Sequence, residues 1–247
     1  MAKILIGTSG WSYGHWSGRF YPVDLPSSQW LPFHAERFPT VEINSTFYSL
    51  PSEQMVKGWE SRTPLNFTFA VKASRLITHY KRLKNTQRAL DVFMGRVGLL
   101  NRKLGPILYQ LPPSLARDDA LLEQFLAGLP ANLTKAVEFR HTSWLVGSVF
   151  ELLKKYNTAY CIISMPGFPV ALETTASFAY IRMHGAESLY DYCYPDEQLQ
   201  WWATRIYELS ERGVDVYVYF NNDYKAYAIF NAIKLGQLIS QGRNCDG

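Results

Sequence analysis

The sequence has little cysteine, and what it has is scattered. Its 247 residues include three cysteines, Cys161, Cys193 and Cys245, with no CxxC pair among them. An odd number at wide spacing argues against a disulfide framework and does not indicate a cysteine metal site. The segment Met1–Gly10 holds one lysine and a short apolar run broken by glycine, unlike a signal peptide or a membrane span. We therefore expect a cytoplasmic protein with no membrane partner.

Glycine and proline are also scarce, and several catalytic motifs are absent. Sixteen glycines and 13 prolines exclude a low-complexity chain, and a hydrophobic share of 47% excludes a disordered one. No P-loop, GxGxxG or GxSxG motif occurs, so nothing supports nucleoside-triphosphate hydrolysis, dinucleotide redox chemistry or serine-hydrolase chemistry. The length suits one large α/β barrel or two small domains.

What the sequence does contain is a strand-like run that recurs eight times, mostly followed by a helical pattern. The runs are Ile4–Gly7, Val41–Asn44, Phe67–Lys72, Pro106–Gln110, Ala136–Arg140, Ala159–Ser164, Phe178–His184 and Val214–Asn221. The helical patterns cover 28–37, 52–61, 86–103, 118–128, 146–156, 196–211 and 223–240. The segment 165–177 is the exception, because its two prolines and one glycine predict an irregular connection after the sixth strand.

This alternation predicts the fold class. Eight strands alternating with helices indicate an α/β protein with a closed (β/α)8 barrel of the TIM type, and an open doubly wound sheet is the alternative. No linker and no change in composition divides the chain. We therefore expect residues 1–247 to form a single barrel domain, with the irregular connection in place of the helix after the sixth strand.

Side-chain alternation places polar groups on one face of these strands. In the fifth strand Val137 and Phe139 oppose Glu138 and Arg140, and the other strands follow the same rule. In a barrel the polar faces would meet at the carboxyl-terminal mouth, where active sites of such barrels lie. This predicts a functional mouth, with a purely structural polar network as the alternative. The predicted ring consists of Ser9, Glu42, Asn44, Lys72, Gln110, Glu138, Arg140, Ser164, Arg182, His184, Tyr219 and Asn221.

The same residues carry a family resemblance. The relevant motifs are GTSGW (Gly7–Trp11) with Tyr13 and Trp16, Phe20-Tyr21-Pro22, VEINSTFY (Val41–Tyr48), VKAS with Thr78-His79, KLGPILYQLPP (Lys103–Pro113), VEFRH with Trp144, YIRMHG (Tyr180–Gly185) and YFNND (Tyr219–Asp223). In order and along almost the whole chain, they resemble the family called domain of unknown function 72, or YecE-like. The resemblance implies a TIM-type barrel and no established reaction. In that family an acidic residue often follows the sixth strand, where this chain has Ser164-Met165-Pro166-Gly167.

The charges of the ring favour an anionic ligand. Two carboxylates stand against one lysine and two arginines, which leaves a net charge of +1 when His184 is neutral. Guanidinium and ammonium groups suit phosphate or carboxylate. Our leading hypothesis is therefore an enzyme, a hydrolase, lyase or isomerase, acting on a phosphate-containing, sugar-like or nucleotide-like substrate.

Each ring residue then receives a predicted role. Glu42 and Glu138 are candidates for acid–base catalysis, with pKa values raised by partial desolvation beside another carboxylate, and His184 is the candidate proton shuttle. The alternative for Glu138 is that it pairs with Arg140 or Arg182 only to neutralise the mouth. The predicted substrate-binding residues are Trp11, Tyr13, Asn44, Lys72, Gln110, Arg140, Arg182, Tyr219, Asn221, Asn222 and Asp223.

No cofactor is expected. Metal-ligand residue types do occur near the predicted mouth, but none shows a diagnostic spacing, and we expect no tightly bound divalent metal. These residues are Glu42, Glu138, His184, Asp223, His79 and His141.

Aromatic rings and a basic segment support a second hypothesis. Between Lys72 and Lys103 there are nine basic residues and one acid, Asp91, a net charge of +8. This segment is either a basic surface that attracts anionic partners or a solvated helix face. Rings in loops after predicted strands could stack on bases. Together they suit a non-catalytic module that binds nucleic acid. The rings are Trp11, Tyr13, Trp16, Phe47, Tyr48, Trp144, Tyr190, Tyr192 and Tyr224.

Overall fold

Eight parallel strands pair in sequence order and close into a barrel in this computed structural model, which describes residues 2–245. The eighth strand pairs with the first, so no edge is left open. The predicted closed barrel is confirmed, and the open doubly wound sheet is excluded. The strands are β1 (Ile4–Ser9), β2 (Thr40–Ile43), β3 (Thr68–Lys72), β4 (Leu104–Gln110), β5 (Lys135–Glu138), β6 (Ala159–Ser164), β7 (Phe178–Met183) and β8 (Asp215–Phe220).

Helices lie between the strands where the sequence pattern predicts them. Two begin at side-chain caps, because Ser52 accepts a hydrogen bond from the Met55 amide and Asp118 from the Leu121 amide. No helix occupies 165–177, as predicted. The helices are α1 (Trp30–Ala35), α2 (Ser45–Tyr48), α3 (Glu53–Ser61), α4 (Gln87–Val97), α5 (Asp119–Ala127), α6 (Gly147–Lys155), α7 (Asp196–Glu211) and α8 (Tyr227–Cys245).

The short helices that follow β2 and β3, at the carboxyl-terminal side of the barrel, were not predicted. One is α2, of four residues, directly after β2, and the other is a π-helix, Leu76–Tyr80, in the loop after β3. Neither is long enough to show a 3.6-residue hydrophobic period. Both border the mouth, so the segments that sequence periodicity could not resolve lie beside the candidate site.

The strands separate two packing layers. Outward-facing side chains such as Val137 and Phe139 are fully buried against the helices, and inward-facing ones fill the barrel. Gly7 faces inward where β1 approaches β2, and a Cβ there would lie 2.1 Å from the Thr40 carbonyl oxygen. The predicted alternation is therefore confirmed for the strands that carry the charged ring residues, whose polar side chains face the barrel axis.

Ser164 is an exception, and its place in the predicted ring is wrong. It lies on the same face of β6 as Tyr160 and Ile162, towards the helices, where its hydroxyl accepts from Tyr194 at 2.8 Å.

None of the helices in the described part of the chain combines the length and the apolarity that a bilayer crossing demands. Of the three cysteines, Cys161 is buried and Cys193 is exposed, both as free thiols, and the side chain of Cys245 lies outside the described residues.

One buried histidine joins α1 to the first strand. His34 is fully buried, and its Nε2 lies 2.9 Å from the Thr8 hydroxyl. Because that hydroxyl donates to the Gly10 carbonyl at 2.7 Å, it accepts from His34. The Nδ1 atom has no hydrogen-bond partner. Burial lowers the pKa of His34 to about 3, so the ring folds in its neutral form.

We predict that His34 makes the fold sensitive to mild acid. The unfolded ring binds a proton below pH about 6.5, whereas the folded ring stays neutral down to pH about 3. Stability therefore falls by about 1.4 kcal/mol per pH unit over that window on account of this residue. Urea unfolding of the wild type and His34→Leu between pH 7 and 4.5 should show a shallower decline in the variant. Equal slopes would contradict the prediction.

Candidate functional site

A buried arginine holds two carboxylates at the top of the barrel. Arg182, near the end of β7, donates from Nη2 to Glu42 Oε1 and from Nη1 to Glu138 Oε2, each at 2.7 Å. The exposed fraction of each of these three side chains is 1% or less. The ion pairs link β2, β5 and β7 across the barrel axis. The pairing of Glu138 with arginine, given above as the alternative to a catalytic role, is present.

Further donors saturate the Glu42 carboxylate. The Tyr180 hydroxyl donates to Oε2 at 2.6 Å, and the Ser9 hydroxyl donates to Oε1 at 2.7 Å. Burial alone would raise the pKa of Glu42, but Arg182 and these hydrogen bonds outweigh it and lower that pKa. The prediction of a raised pKa is wrong for this residue, because its nearest charge is a guanidinium and not a carboxylate.

Glu138 is in a similar position. Arg140 Nε donates to its Oε1, and the Cys161 thiol lies 3.7 Å from its Oε2. Against the opposing effect of burial, Arg140 and Arg182 hold the pKa of Glu138 well below its usual range. The raised pKa predicted for this group is also wrong. Both carboxylates are ionised hydrogen-bond acceptors, and neither holds a proton to donate as a general acid near neutral pH.

His184 completes this network and is likewise enclosed. Its Nε2 lies 3.1 Å from Arg140 Nη2 and 3.3 Å from Arg182 Nη1, and its Nδ1 lies 2.9 Å from the Asn221 side-chain amide. The Asn221 atom at this distance is Nδ2. A guanidinium can only donate, so Nε2 is the accepting nitrogen and the proton resides on Nδ1, which requires the Asn221 amide to be turned so that its oxygen faces the ring. Burial and Arg182 lower the pKa of His184 to about 4. The predicted proton shuttle has no ring nitrogen open to a substrate.

Several predicted binding residues make structural contacts. Tyr219 is fully buried one layer below the mouth, where its hydroxyl lies 2.7 Å from Thr40 Oγ1. The Asn222 amide donates to the Tyr192 carbonyl and to Asn231. The Asp223 carbonyl accepts from two side chains of the β1 loop, and burial raises the pKa of its carboxyl group. These contacts anchor loops, although Asn222 Oδ1 is buried without a partner, and the binding role of these three residues stays a prediction.

Fewer of the aromatic rings predicted to rim the mouth are exposed than expected. Trp16 and Trp144 are fully buried, and Trp144 stacks on Phe139 at 4.9 Å, so both are core residues. Trp11 packs edge-on against Trp59, and Tyr13 donates to the Ser9 carbonyl at 2.7 Å. The rings that remain exposed are Tyr48, Tyr190 and Tyr224.

The other half of the mouth, formed by the ends of β2, β3 and β4, has polar groups without partners. Ile43 pairs with Val71, which brings Asn44 level with Lys72, and Gln110 ends the next strand. Asn44 Oδ1 and Gln110 Oε1 are both buried without a hydrogen-bond partner. We call Asn44, Lys72 and Gln110 the open half of the mouth. These predicted residues do come together, and unlike the carboxylates they have unused hydrogen-bonding capacity.

Lys72 is the central charge of the open half. Its Nζ lies 4.3 Å above the centre of the Phe47 ring, and no residue of the described chain forms an ion pair or accepts a hydrogen bond from it. The side chain is half-buried. Burial and Arg182 lower the pKa of Lys72 to about 8, while Glu138 and Glu42 act in the opposite direction. Lys72 is therefore a cation with a weakened hold on its proton.

The π-helix adds a group for which the sequence analysis assigned no catalytic or binding role. The His79 ring packs edge-on against Phe47 at 4.8 Å, and its Nδ1 lies 2.9 Å from the Thr78 hydroxyl. Partial burial, Lys72 and Arg140 lower its pKa. Its only sequence signal was membership of the family motif, because a five-residue π-helix leaves no readable pattern. Lys72 and His79 thus contact the same aromatic ring.

The basic segment 72–103 does not form one surface. Lys103 is buried and donates to the Thr63 carbonyl at 2.8 Å, which makes it a structural anchor. Arg96 donates to the Pro51 carbonyl. Nearer the mouth, the Arg75 guanidinium lies 5.7 Å from the centre of the exposed Tyr48 ring and 5.4 Å from that of Tyr80. The segment therefore divides into anchors and a small group of bases beside the mouth.

In the described residues, no three or more histidine, cysteine, aspartate or glutamate side chains are arranged to hold a metal ion. The acidic oxygens at the mouth are instead occupied by arginine, tyrosine and serine donors.

The enclosed network yields a stability prediction. Arg182→Met would leave Glu42 and Glu138 buried without their shared cation and should lower the free energy of unfolding by about 3–5 kcal/mol at pH 7. The deficit should shrink towards pH 4, because the unpaired carboxyls can then be protonated. Arg205→Met removes an exposed pair with Glu208 at 3.5 Å and should cost under about 1 kcal/mol. Urea unfolding measures both, and equal losses would contradict the prediction.

Comparison with known proteins places this architecture in a family. Residues 5–245 match the family described as "Protein of unknown function DUF72". UPF0759 protein YunF of Bacillus subtilis is 25% identical over 269 residues, covering 96% of this chain and 94% of that protein. UPF0759 protein YecE of Escherichia coli is 32% identical over 139 residues, which cover 56% of this chain and 48% of YecE.

Solved structures support the same family assignment. A DUF72 family protein from Thermotoga maritima has 32% identity and a TM-score of 0.88, covering 96% of this chain and 99% of its own. Another from Enterococcus faecalis has the same fold at 20% identity, with a TM-score of 0.83 and coverage of 96% and 95%. These matches confirm the resemblance carried by the sequence motifs. The chain belongs to the DUF72 family of proteins of unknown function.

Proposed function

We propose that this protein is an enzyme that binds a small phosphate-bearing, sugar-like or nucleotide-like substrate in the open half of the mouth. One observation carries the proposal. The two buried carboxylates are each matched by arginine, whereas Lys72 has no partner and stands between amide oxygens that have none either. A buried polar group without a partner is costly, so unused capacity at the mouth indicates a ligand.

Electrostatics favour an anion. Glu42 and Glu138 are balanced by Arg182 and Arg140, which leaves the charge of Lys72 in excess. Arg140 Nη1 faces only the Met165 sulfur, at 3.3 Å. This is the place where the family resemblance suggests an acidic residue, and a carboxylate there would consume that donor. With methionine instead, Arg140 keeps a cationic N–H group available for phosphate.

The unpartnered amides favour a hydroxylated substrate. Asn44 Oδ1 and Gln110 Oε1 are acceptors and need donors. Sugar hydroxyl groups are donors that would satisfy both while phosphate contacts the cations. A simple inorganic anion would leave these oxygens unmatched, so the site suits a phosphorylated sugar or the sugar-phosphate part of a nucleotide.

The enclosed residues have positioning roles under this proposal. Glu138 and His184 both contact Arg140 and hold its guanidinium at the mouth, and Glu42 holds Arg182. The groups with unused capacity for proton transfer are Lys72 and His79. The reaction is a hydrolysis, an elimination or an isomerisation, and the cytoplasmic location expected from the sequence stays a prediction.

Calorimetric titration with ribose 5-phosphate tests the proposal. The wild type should bind it, and Lys72→Met should weaken binding at least tenfold because the unpaired cation is lost. Ribose without phosphate should bind much more weakly. Lys57→Met removes an exposed lysine that pairs with Glu53 at 3.7 Å on α3, and it should leave the affinity unchanged. No detectable binding of phosphorylated sugars or nucleotides by the folded wild type would overturn the proposal.

A second candidate function has its own observation. Arg75 lies between two rings, Tyr48 and Tyr80, whose exposed fractions are 65% and 66%. Exposed tyrosines beside a guanidinium can stack on unpaired bases while arginine contacts the backbone, at about 1 to 3 kcal/mol per base. This arrangement supports a nucleic-acid-binding module at the edge of the mouth.

Salt titration separates the two functions. A module should bind a twelve-residue oligothymidylate with log affinity falling by about 0.7 per phosphate contact for each unit of log salt. Tyr48→Ala with Tyr80→Ala should weaken that binding at least tenfold and leave ribose 5-phosphate binding unchanged. Fluorescence anisotropy measures the first effect and calorimetry the second. If the double variant binds the oligonucleotide as the wild type does, the module is ruled out at this surface.

A further inference from the structure

We propose that Lys72 is a nucleophile whose Nζ forms an imine with an aldehyde or ketone carbon of the substrate. The inference rests on the proposed function and narrows it, because it names the substrate class as a hydroxylated carbonyl compound bearing phosphate. It also assigns a covalent step to the open half of the mouth.

The surroundings of Lys72 suit a nucleophile better than a structural cation. Lys103 is an example of a structural lysine in this chain. It is buried and donates three hydrogen bonds, one to Glu60 near the end of α3 and two to Thr63 just beyond it. Lys72 makes none, and its ammonium group faces an aromatic ring. Its Nζ is absent from the fully buried unpartnered atoms, so it remains open to the mouth. An amine in this state is free to approach a carbon atom.

Burial favours the free amine of Lys72, and the charged groups on the surrounding elements act in both directions. Arg182 on β7 and Arg140 after β5 oppose the ammonium form, while Glu138 and Glu42 support it. The π-helix contributes His79, which interacts with the same charge. Burial outweighs the carboxylates, and the pKa of Lys72 falls to about 8. Near neutral pH the fraction of free amine is then on the order of a hundredfold above that of an ordinary lysine.

Imine formation needs only the Lys72 amine, the substrate carbonyl and a group that relays protons. The Nζ lone pair attacks the carbonyl carbon, the carbonyl oxygen takes a proton, and the nitrogen loses one, giving a carbinolamine. The hydroxyl group then leaves as water with a proton from a nearby acid, and a protonated imine forms. His79, whose ring contacts Phe47 as the Lys72 ammonium does, is the group assigned to relay these protons. No oxidant or reductant is needed, and hydrolysis reverses the sequence.

The chemistry that follows narrows the reaction class. A protonated imine withdraws electrons from the adjacent carbon, so a neighbouring C–H or C–C bond breaks more easily. That outcome is a lyase or isomerase reaction and not a hydrolysis. The amide oxygens of Asn44 and Gln110 would accept from the hydroxyl groups of such a substrate, and Arg140 would contact its phosphate.

Borohydride trapping tests the inference. The full-length protein is incubated with glyceraldehyde 3-phosphate at pH 7.5, reduced with sodium cyanoborohydride, and mapped by peptide mass spectrometry. The reduced adduct should form on Lys72 at least tenfold faster than on the exposed Lys57, whose side chain is 64% exposed. Glyceraldehyde, which lacks phosphate, should label Lys72 more slowly than the phosphorylated probe.

Two wild-type measurements separate this inference from the proposed function. Lys72→Arg, which keeps the cation but has no amine able to form an imine, serves only as the labelling control and should give no adduct at position 72. Labelling of Lys72 in the wild type no faster than of Lys57, with sugar-phosphate binding intact, would overturn the covalent step alone. If the wild type does not bind sugar phosphates, the proposed function is overturned instead. The wild-type measurement stands even if a variant fails to fold.

Discussion

The shared ion pairs of Arg182 with Glu42 and Glu138 are the constraint on which the upper barrel depends. Desolvating three charges is costly, and the cost is met only because every oxygen of both carboxylates accepts a hydrogen bond, from Arg182 or from Ser9, Tyr180 and Arg140. The network links β2, β5 and β7 through side chains instead of through the sheet. It consequently fixes Arg140 and His184, which depend on Glu138 for their orientation.

This network divides the mouth into a half whose polar groups are mostly paired and the open half. Most polar side-chain atoms at the β5, β7 and β8 ends pair with one another, Arg182 Nε and Asn222 Oδ1 being exceptions, and together they form a floor with low exposure. The β2, β3 and β4 ends carry an ammonium group and two amide oxygens that nothing in the described chain satisfies. The short helices after β2 and β3 border the same half and bring Phe47 and His79 to it. A paired network on one side and unused capacity on the other are what a preorganised binding site requires.

Sequence alone predicted the barrel, its eight strands and the face on which most strand side chains lie, because burial imposes a two-residue period on strands. It failed at β6, where every residue is buried and no polar alternation marks the faces, so Ser164 was placed inward although it faces the helices. It also predicted the irregular segment 165–177. It could not predict depth along a strand, so Tyr219 was placed in the ring although it lies a layer below Asn221. Nor could the sequence show which charged side chains have a partner of opposite charge. Glu138 and Lys72 are both charged residues on the inward face of a strand, and only their neighbours on other strands distinguish them. The π-helix that presents His79 was too short to leave a pattern.

The same matched charges constrain how this chain can evolve. Replacing any one of Arg182, Glu42 or Glu138 leaves a buried ion without its counterpart, so single substitutions are strongly destabilising while compensated pairs need not be. Amino-acid changes at these positions must therefore occur as compensating substitutions on different strands. The unpaired residues of the open half face no such barrier. Under the proposed function, substitutions there would change substrate preference without disturbing the barrel.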